Sequence, residues 1–254
     1  MNILSIGNSF SVNAHHYLHK IARLDEKQPI FCWNLYIGGC SLATHYRNNH
    51  LDASAYDLYV NGMNTELKIS IKKALLAIHN GTWDIVTIQQ ASMSSFKYET
   101  YQPYLSDLIA TVREYCPKAK IYVHQTWAYE PNSDRLALTG FEKDTDMFRE
   151  IAGCYDKAAK EINADAIIPA GCAMQAMLKM GIEKVHCDGF HANSIGKLGI
   201  ALTWYQVLTG RSVKNLDFSH FDFDGIPTEE EIEIAKRASY EAAKKYGFDI
   251  KSAL

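Results

Sequence analysis

The chain has 254 residues, of which 47% are hydrophobic, and its formal net charge at pH 7 is −3. This length and apolar content suit one α/β domain with a substantial core, since such domains often run to roughly 250 residues. The small negative charge, without a block of Lys or Arg, argues against nucleic acid or an anionic membrane as a partner, and no apolar run approaches the roughly 18 residues that span a bilayer.

Short apolar runs rich in β-branched residues predict five strands, and they alternate with longer segments of helical periodicity. Strands that alternate with helices typically form a parallel sheet with helices on both faces. We therefore expect one three-layer α/β/α domain over residues 1–254, with a flavodoxin-like, five-stranded parallel sheet. The predicted strands are Ile3–Ile6, Ile30–Ile37, Ile85–Ile88, Ile121–Val123 and Ala166–Pro169.

The helical segments have marked ends. Pro103 lies where a first-turn proline is tolerated, and Thr228 with Glu231 forms a capping-box pattern. Two other segments, residues 40–64 and 128–141, are predicted to be irregular insertions at the rim of the sheet. The predicted helices span residues 11–24, 66–80, 102–115, 142–163, 173–180, 193–209 and 228–246.

No metal or cofactor is expected. The six cysteines are scattered, without a C-x-x-C pair or a spacing that would hold zinc, and are expected to be small buried residues. His15 and His19 are spaced i, i+4 but have no identifiable third ligand, which favours a helix face. Strand-like sequence begins at Asn2, so no secretory signal is expected and cytoplasm is the default compartment; a trimmed secreted chain would look the same.

A serine follows the first predicted strand, at the point where a helix is predicted to begin. The sequence Ile6-Gly7-Asn8-Ser9 places the Ser9 hydroxyl at the carboxyl end of a strand, where open α/β sheets bind ligands. A serine in this position can cap the helix, belong to a phosphate-binding loop or act as a nucleophile. The third role needs a base and donors for an oxyanion, and the backbone N–H groups that open the helix are candidate donors.

Asp188 and His191 are a candidate orienting acid and base for this serine. They are three residues apart, so the carboxylate can accept from one ring nitrogen while the other ring nitrogen faces outward. An isolated D-x-x-H is most often a surface turn. Its position between the last predicted strand and the predicted helix that Asn193 caps favours a functional pair.

Together these fragments resemble the SGNH/GDSL hydrolase superfamily, which has an N-terminal G-[DN]-S block and an Asp-x-x-His pair near the C-terminus. Gly38-Gly39 after the second strand is similar to the glycine block of that family. The resemblance implies a serine esterase with Ser9, Asp188 and His191 as catalytic residues. It also implies that the backbone N–H groups of Ser9 and Gly39 stabilise the oxyanion.

One block departs from the family pattern. Where the superfamily usually has G-x-N-[DE], this chain has Ile88-Gln89-Gln90-Ala91-Ser92. The side-chain amide of Gln90 is expected to replace the missing Asn as an oxyanion donor, with Gln89 and Ser92 as alternatives. The segment is also similar to the Q-G-E-S segment of sialate O-acetylesterase-like members, which indicates acyl groups on sugars.

The expected substrate is therefore a small ester, with an acetyl ester on a carbohydrate as the family-level expectation. Asn8, Trp127 and Tyr129 are the candidate substrate-binding residues. The two aromatic rings follow the fourth predicted strand and either stack on a sugar ring or pack at the top of the sheet.

Two other functions are compatible with the sequence. A flavodoxin-like protein that binds phosphate or flavin would use the turn at Gly7–Ser11, but would leave Asp188 and His191 without a role. A non-catalytic SGNH fold that binds glycans would account for the altered Asn block.

Overall fold

The computed structural model of the chain describes residues 1–25 and 27–251. These residues form two compact units. The first comprises residues 1–12, 30–126 and 150–167, and the second comprises the described residues among 13–29, 127–149 and 168–254. The single domain expected over residues 1–254 stays a prediction.

Among the described residues, seven strands form one sheet, and all strand residues except Ile168 belong to the first unit. They are β1 Asn2–Gly7, β2 Phe31–Tyr36, β3 Tyr56–Val60, β4 Met63–Ile69, β5 Ile85–Ile88, β6 Lys120–His124 and β7 Ala166–Ile168. The order across the sheet is β4-β3-β2-β1-β5-β6-β7. β1 pairs in parallel with β2 and β5, and β5 with β6. The carboxyl ends of these four strands therefore lie at one edge of the sheet.

The α/β fold class is confirmed, but the expected sheet of five parallel strands is corrected to seven strands, of which β3 is antiparallel to both β2 and β4. The two additional strands form a hairpin around Asn61-Gly62, where both residues have positive φ angles of 50° and 83°. Two-residue hairpin turns with this backbone favour Asn-Gly because neither residue then meets a large steric penalty. The predicted insertion at 40–64 and the start of the predicted helix at 66–80 are therefore wrong.

Several helices begin at a residue whose side chain caps the first turn. In the first unit, α2, α3 and α4 pack against one another, and Ser41 and Ser70 cap the first two. In the second unit, α7, α8 and α9 pack pairwise, and the capping box of Thr228 and Glu231 opens α9 as expected. The helices are α1 Ser9–Asp25, α2 Leu42–His50, α3 Ile71–Ala77, α4 Tyr104–Tyr115, α5 Asp134–Ala137, α6 Asp144–Glu161, α7 Ala170–Lys179, α8 Ser194–Thr209 and α9 Glu229–Lys245.

The structure shows how far the cysteines and His15 are buried. Five of the six cysteines are buried, as expected for small core residues, whereas Cys187 is exposed. His15 is also buried, and burial lowers its pKa to about 3, so it is a neutral core residue. Within residues 1–25 and 27–251, no helix combines the length and the hydropathy that crossing a membrane requires.

Gly7, the last residue of β1, has no room for a side chain. A Cβ here would overlap Ser11 Oγ and lie 2.9 Å from Ser11 Cβ, and Ser11 is fully buried. We expect Gly7→Ala to lower the free energy of unfolding by about 1–3 kcal/mol, the usual cost of overpacking, as measured by urea denaturation. In the control Gly153→Ala, an exposed position of α6, no atom lies within 4 Å of the added Cβ. The free energy of unfolding of this control variant should rise by about 0.5–1 kcal/mol, because glycine destabilises a helix interior relative to alanine. Unchanged stability of Gly7→Ala would contradict the steric argument.

Candidate active site

Ser9 is the first residue of α1 and directly follows the turn after β1. It is half-buried, whereas Asn8 and Phe10 on either side are buried. Asn8 Oδ1 accepts a hydrogen bond from the Phe10 N–H at 3.0 Å, so Asn8 supplies the side-chain cap of this helix. Asn8, rather than Ser9, is therefore the residue whose side chain caps α1.

Asn8 connects three loops at the carboxyl edge of the sheet. Its Nδ2 donates to the Cys40 carbonyl at 3.2 Å, and its Oδ1 accepts from Gln89 Nε2 at 2.7 Å. The residue is only 2% exposed. The expected contact between Asn8 and substrate is corrected, because the side-chain amide is buried and bonded to the protein. Asn8 instead ties the turn after β1 to the loops that follow β2 and β5.

Gly39 lies in the loop between β2 and α2. It is exposed and has a φ of 60°, a left-handed conformation that favours glycine. The next residue, Cys40, carries the carbonyl that Asn8 bonds, so the loop with Gly39 is tied to the turn with Ser9. The role of the two backbone N–H groups as oxyanion donors stays a prediction.

The side chain of Gln90 is occupied by structural hydrogen bonds. Its Oε1 accepts from the N–H groups of Leu42 and Ala91 at 2.9 and 2.8 Å. Its Nε2 donates to the carbonyl and the Oγ1 of Thr100 at 3.0 and 3.1 Å. With both amide hydrogens used, Gln90 would have to lose a bond to the protein before it donated to an oxyanion. The expected role of this residue is corrected accordingly.

Asp188 and His191 lie together in the second unit. Asp188 Oδ2 is 2.7 Å from His191 Nδ1, and Asp188 Oδ1 accepts from the backbone N–H groups of His191 and Phe190 at 2.8 and 3.3 Å. Partial desolvation raises the pKa of Asp188, but these hydrogen bonds outweigh it, so the net pKa is below its ordinary value. The ionised carboxylate therefore orients the imidazole ring.

The loop that carries this pair is held mainly through its backbone. Trp127 Nε1 donates to the Phe190 carbonyl at 2.8 Å, and the Glu130 N–H donates to the Gly189 carbonyl at 2.8 Å. Trp127 is 0% exposed and Tyr129 is 3% exposed, with the Tyr129 ring edge-on to Phe190. Neither ring has surface to stack on a sugar, so the expected substrate contact is corrected to support of the loop that carries Asp188 and His191.

The sequence prediction missed a buried contact in the first unit, where Gln89 Oε1 is 2.7 Å from His124 Nδ1. A signal was present, because a polar residue follows or ends each of three apolar strands: Asn8 after β1, Gln89 after β5 and His124 in β6. Since the carboxyl ends of parallel strands lie side by side, such residues are expected to meet.

Comparison with solved structures shows that the fold is that of SGNH hydrolases. A suspected SGNH hydrolase from Slackia heliotrinireducens superposes with a TM-score of 0.57 at 23% identity, covering 81% of this chain and 97% of that chain. A suspected GDSL-like lipase from Parabacteroides merdae ATCC 43184 superposes with a TM-score of 0.51 at 16% identity, covering 82% and 95%. At these identities the likeness concerns the fold alone.

The chain belongs to the family described as Domain of unknown function (DUF4886), whose sequence profile matches residues 2–242. The crystal structure of a DUF4886 family protein from Bacteroides uniformis ATCC 8492 superposes with a TM-score of 0.87 at 30% identity, covering 99% of this chain and 97% of that chain. No protein of curated function matches the chain in sequence.

The lowered pKa of Asp188 predicts how this residue affects stability. A carboxylate with a lowered pKa stabilises the fold above the ordinary pKa of aspartate, and this contribution is lost as the pH falls through the lowered value. Near pH 7, we expect the free energy of unfolding of wild type to be higher than that of Asp188→Asn. The difference between the two should shrink below about pH 4. Urea denaturation over a pH series measures it. The exposed Asp156 of α6, changed to Asn, is the control, and a pH-independent difference for Asp188→Asn would contradict the prediction.

Proposed function

We propose that the protein is a serine ester hydrolase in which Ser9, His191 and Asp188 are the catalytic residues. The observation that carries the proposal is the 2.7 Å contact between Asp188 Oδ2 and His191 Nδ1. An ionised Asp can only accept, so Nδ1 carries the proton and Nε2 is the nitrogen that exchanges a proton with the reacting groups. This is the tautomer that a general base needs.

In the proposed reaction, His191 Nε2 removes the Ser9 hydroxyl proton as Ser9 Oγ attacks the ester carbonyl carbon. The tetrahedral intermediate collapses, the bond to the alcohol breaks, and the alcohol leaves with the proton from His191. Water then attacks the acyl-serine by the same route, which releases the carboxylic acid and restores Ser9. The proposal requires Ser9 Oγ and His191 Nε2 to come within roughly 3 Å of each other when substrate is bound.

The backbone N–H groups of Ser9 and Gly39 are the proposed oxyanion donors. The Asn8–Cys40 hydrogen bond supports this assignment, because it ties together the two loops that carry them. The Gln90 amide is not included, since Thr100, Leu42 and Ala91 already occupy it. One well-placed donor contributes on the order of 10²–10³ in kcat, so two backbone donors suffice for a working site.

The proposed substrate is a small acyl ester, acetyl in the first instance, of a carbohydrate. This assignment rests on the similarity of Gln89-Gln90-Ala91-Ser92 to the Q-G-E-S segment of acetylesterase-like members. The buried rings of Trp127 and Tyr129 give no support to a sugar-stacking platform.

A flavin or phosphate site at the same turn is not favoured. A phosphate at a helix N-terminus is bound by the first backbone N–H groups of that helix. The Phe10 N–H already donates to Asn8 Oδ1, and the buried Asn8 side chain fills this position.

Hydrolysis of p-nitrophenyl acetate tests the triad. We expect wild type to hydrolyse this ester, Ser9→Ala and His191→Ala to fall to background, and Asp188→Asn to lose on the order of 10⁴-fold in kcat, because the required tautomer is no longer held. Ser106→Ala, on the exposed side of α4, is the matched control and should keep full activity. Activity in folded Ser9→Ala equal to wild type would refute the assignment.

The substrate class is tested separately. We expect the turnover of p-nitrophenyl esters to fall from acetate to octanoate, and acetylated sugars to release acetate, detected by an enzyme-coupled assay. Faster turnover of octanoate would favour a lipase-like substrate. Binding of acetylated sugars without any acetate release, together with no hydrolysis of p-nitrophenyl esters, would favour the non-catalytic alternative.

A further inference from the structure

The first unit contains a buried row of hydrogen bonds that the proposed triad does not use. His124 Nδ1 lies 2.7 Å from Gln89 Oε1, Gln89 Nε2 donates to Asn8 Oδ1 at 2.7 Å, and Asn8 Nδ2 donates to the Cys40 carbonyl at 3.2 Å. Each of the four residues is at most 2% exposed. We call these bonds the edge network.

The edge network crosses four neighbouring strands. His124 ends β6, Gln89 follows β5, Asn8 follows β1, and Cys40 lies in the loop after β2. Its last two members are the direct sequence neighbours of Ser9 and Gly39. Gln89 Oε1 also lies close under the turn, 3.4 Å from where a Cβ on Gly7 would stand.

The bonds have a single direction. Gln89 Oε1 can only accept, so His124 Nδ1 is the donor, and each following amide accepts with its oxygen and donates with its nitrogen. The Phe10 N–H donates to Asn8 Oδ1 and so fixes which end of that amide faces Gln89. Aligned bonds in a buried site polarise one another and stiffen the groups they join.

Stability alone gives a weak reason for such a network. A buried, fully bonded polar group contributes little net free energy, and apolar residues of similar shape can be about as stable. The network instead restricts geometry, because Asn8 can satisfy its amide only if the loops after β1, β2 and β5 keep a fixed spacing. This spacing sets the distance between the two proposed oxyanion donors, the backbone N–H groups of Ser9 and Gly39.

We propose that Gln89 and His124 are positioning residues that hold Asn8, and through it the loops with Ser9 and Gly39, at the spacing that oxyanion binding requires. This inference rests on the proposed function. An oxyanion exists only after attack on the carbonyl, so a loosened spacing weakens transition-state binding more than substrate binding. The expected signature is a loss in kcat with little change in KM.

The test compares variants that remove one bond with variants that keep it. Gln89→Met has a similar shape but makes neither bond, and His124→Leu removes the first donor. We expect each to lower kcat for p-nitrophenyl acetate by about 10- to 100-fold, with KM within about twofold of wild type, as for displacements of up to about 1 Å. His124→Asn keeps a donor at the place of Nδ1 and should restore most of the kcat that His124→Leu loses.

Thr87→Val is the matched control. Thr87 Oγ1 lies 2.7 Å from Ser5 Oγ in an equally buried polar pair on β5 and β1, outside the edge network. We expect this variant to lose thermal stability but to keep the wild-type kcat. If Thr87→Val loses as much kcat as Gln89→Met, the effect of both is general destabilisation and the inference is wrong.

Labelling of Ser9 by a fluorophosphonate, followed by mass spectrometry, separates the two proposals. If wild type is labelled and active, and Gln89→Met is folded and has an unchanged kcat, the positioning role is wrong but the proposed hydrolase function stands. Wild type that is neither labelled nor active would overturn both. If Gln89→Met fails to fold by circular dichroism, His124→Asn and His124→Leu decide, since equal kcat in these two would also overturn the inference.

Discussion

The hydrogen-bonding requirement of one buried amide constrains the edge of the sheet. Asn8 is 2% exposed, and a buried polar group without a partner costs about 1–3 kcal/mol, so neighbouring groups must supply its bonds. Phe10 does so from the first turn of α1, and Cys40 and Gln89 do so from the loops that follow β2 and β5. Because one side chain takes all these partners, three loops that are distant in sequence acquire a common geometry.

In the second unit, the geometry of Asp188 and His191 is maintained in a different way. The side chains of Asp188 and His191 are 47% and 27% exposed, so their mutual contact by itself contributes little to stability. Their geometry comes from the backbone, because N–H groups of the loop bind the carboxylate and Trp127 and Glu130 bind the loop carbonyls. A buried indole thus supports a proposed catalytic pair whose side chains remain partly exposed to solvent.

The fold could be predicted where signals are local. The cap of Thr228 with Glu231 involves residues within one turn, so the start of α9 was predictable from the sequence. The hairpin at Asn61-Gly62 also carried a local signal, but its second strand is mostly exposed and bears charged residues such as Glu66 and Lys68, which are also typical of a helix surface. The segment forms strand β4 because it pairs with β3, which is a contact between strands.

By itself the sequence determined the turn from β1 into α1 and the pairing of Asp188 with His191, because both arise between residues at most three apart. Only the tertiary structure decided what Gln89, Gln90 and Trp127 do. An amide or an indole N–H can bond substrate or protein equally well, and the choice depends on which group lies about 3 Å away. For Gln89 and Trp127 those groups are 81 and 63 residues distant along the chain, beyond the range of any local pattern.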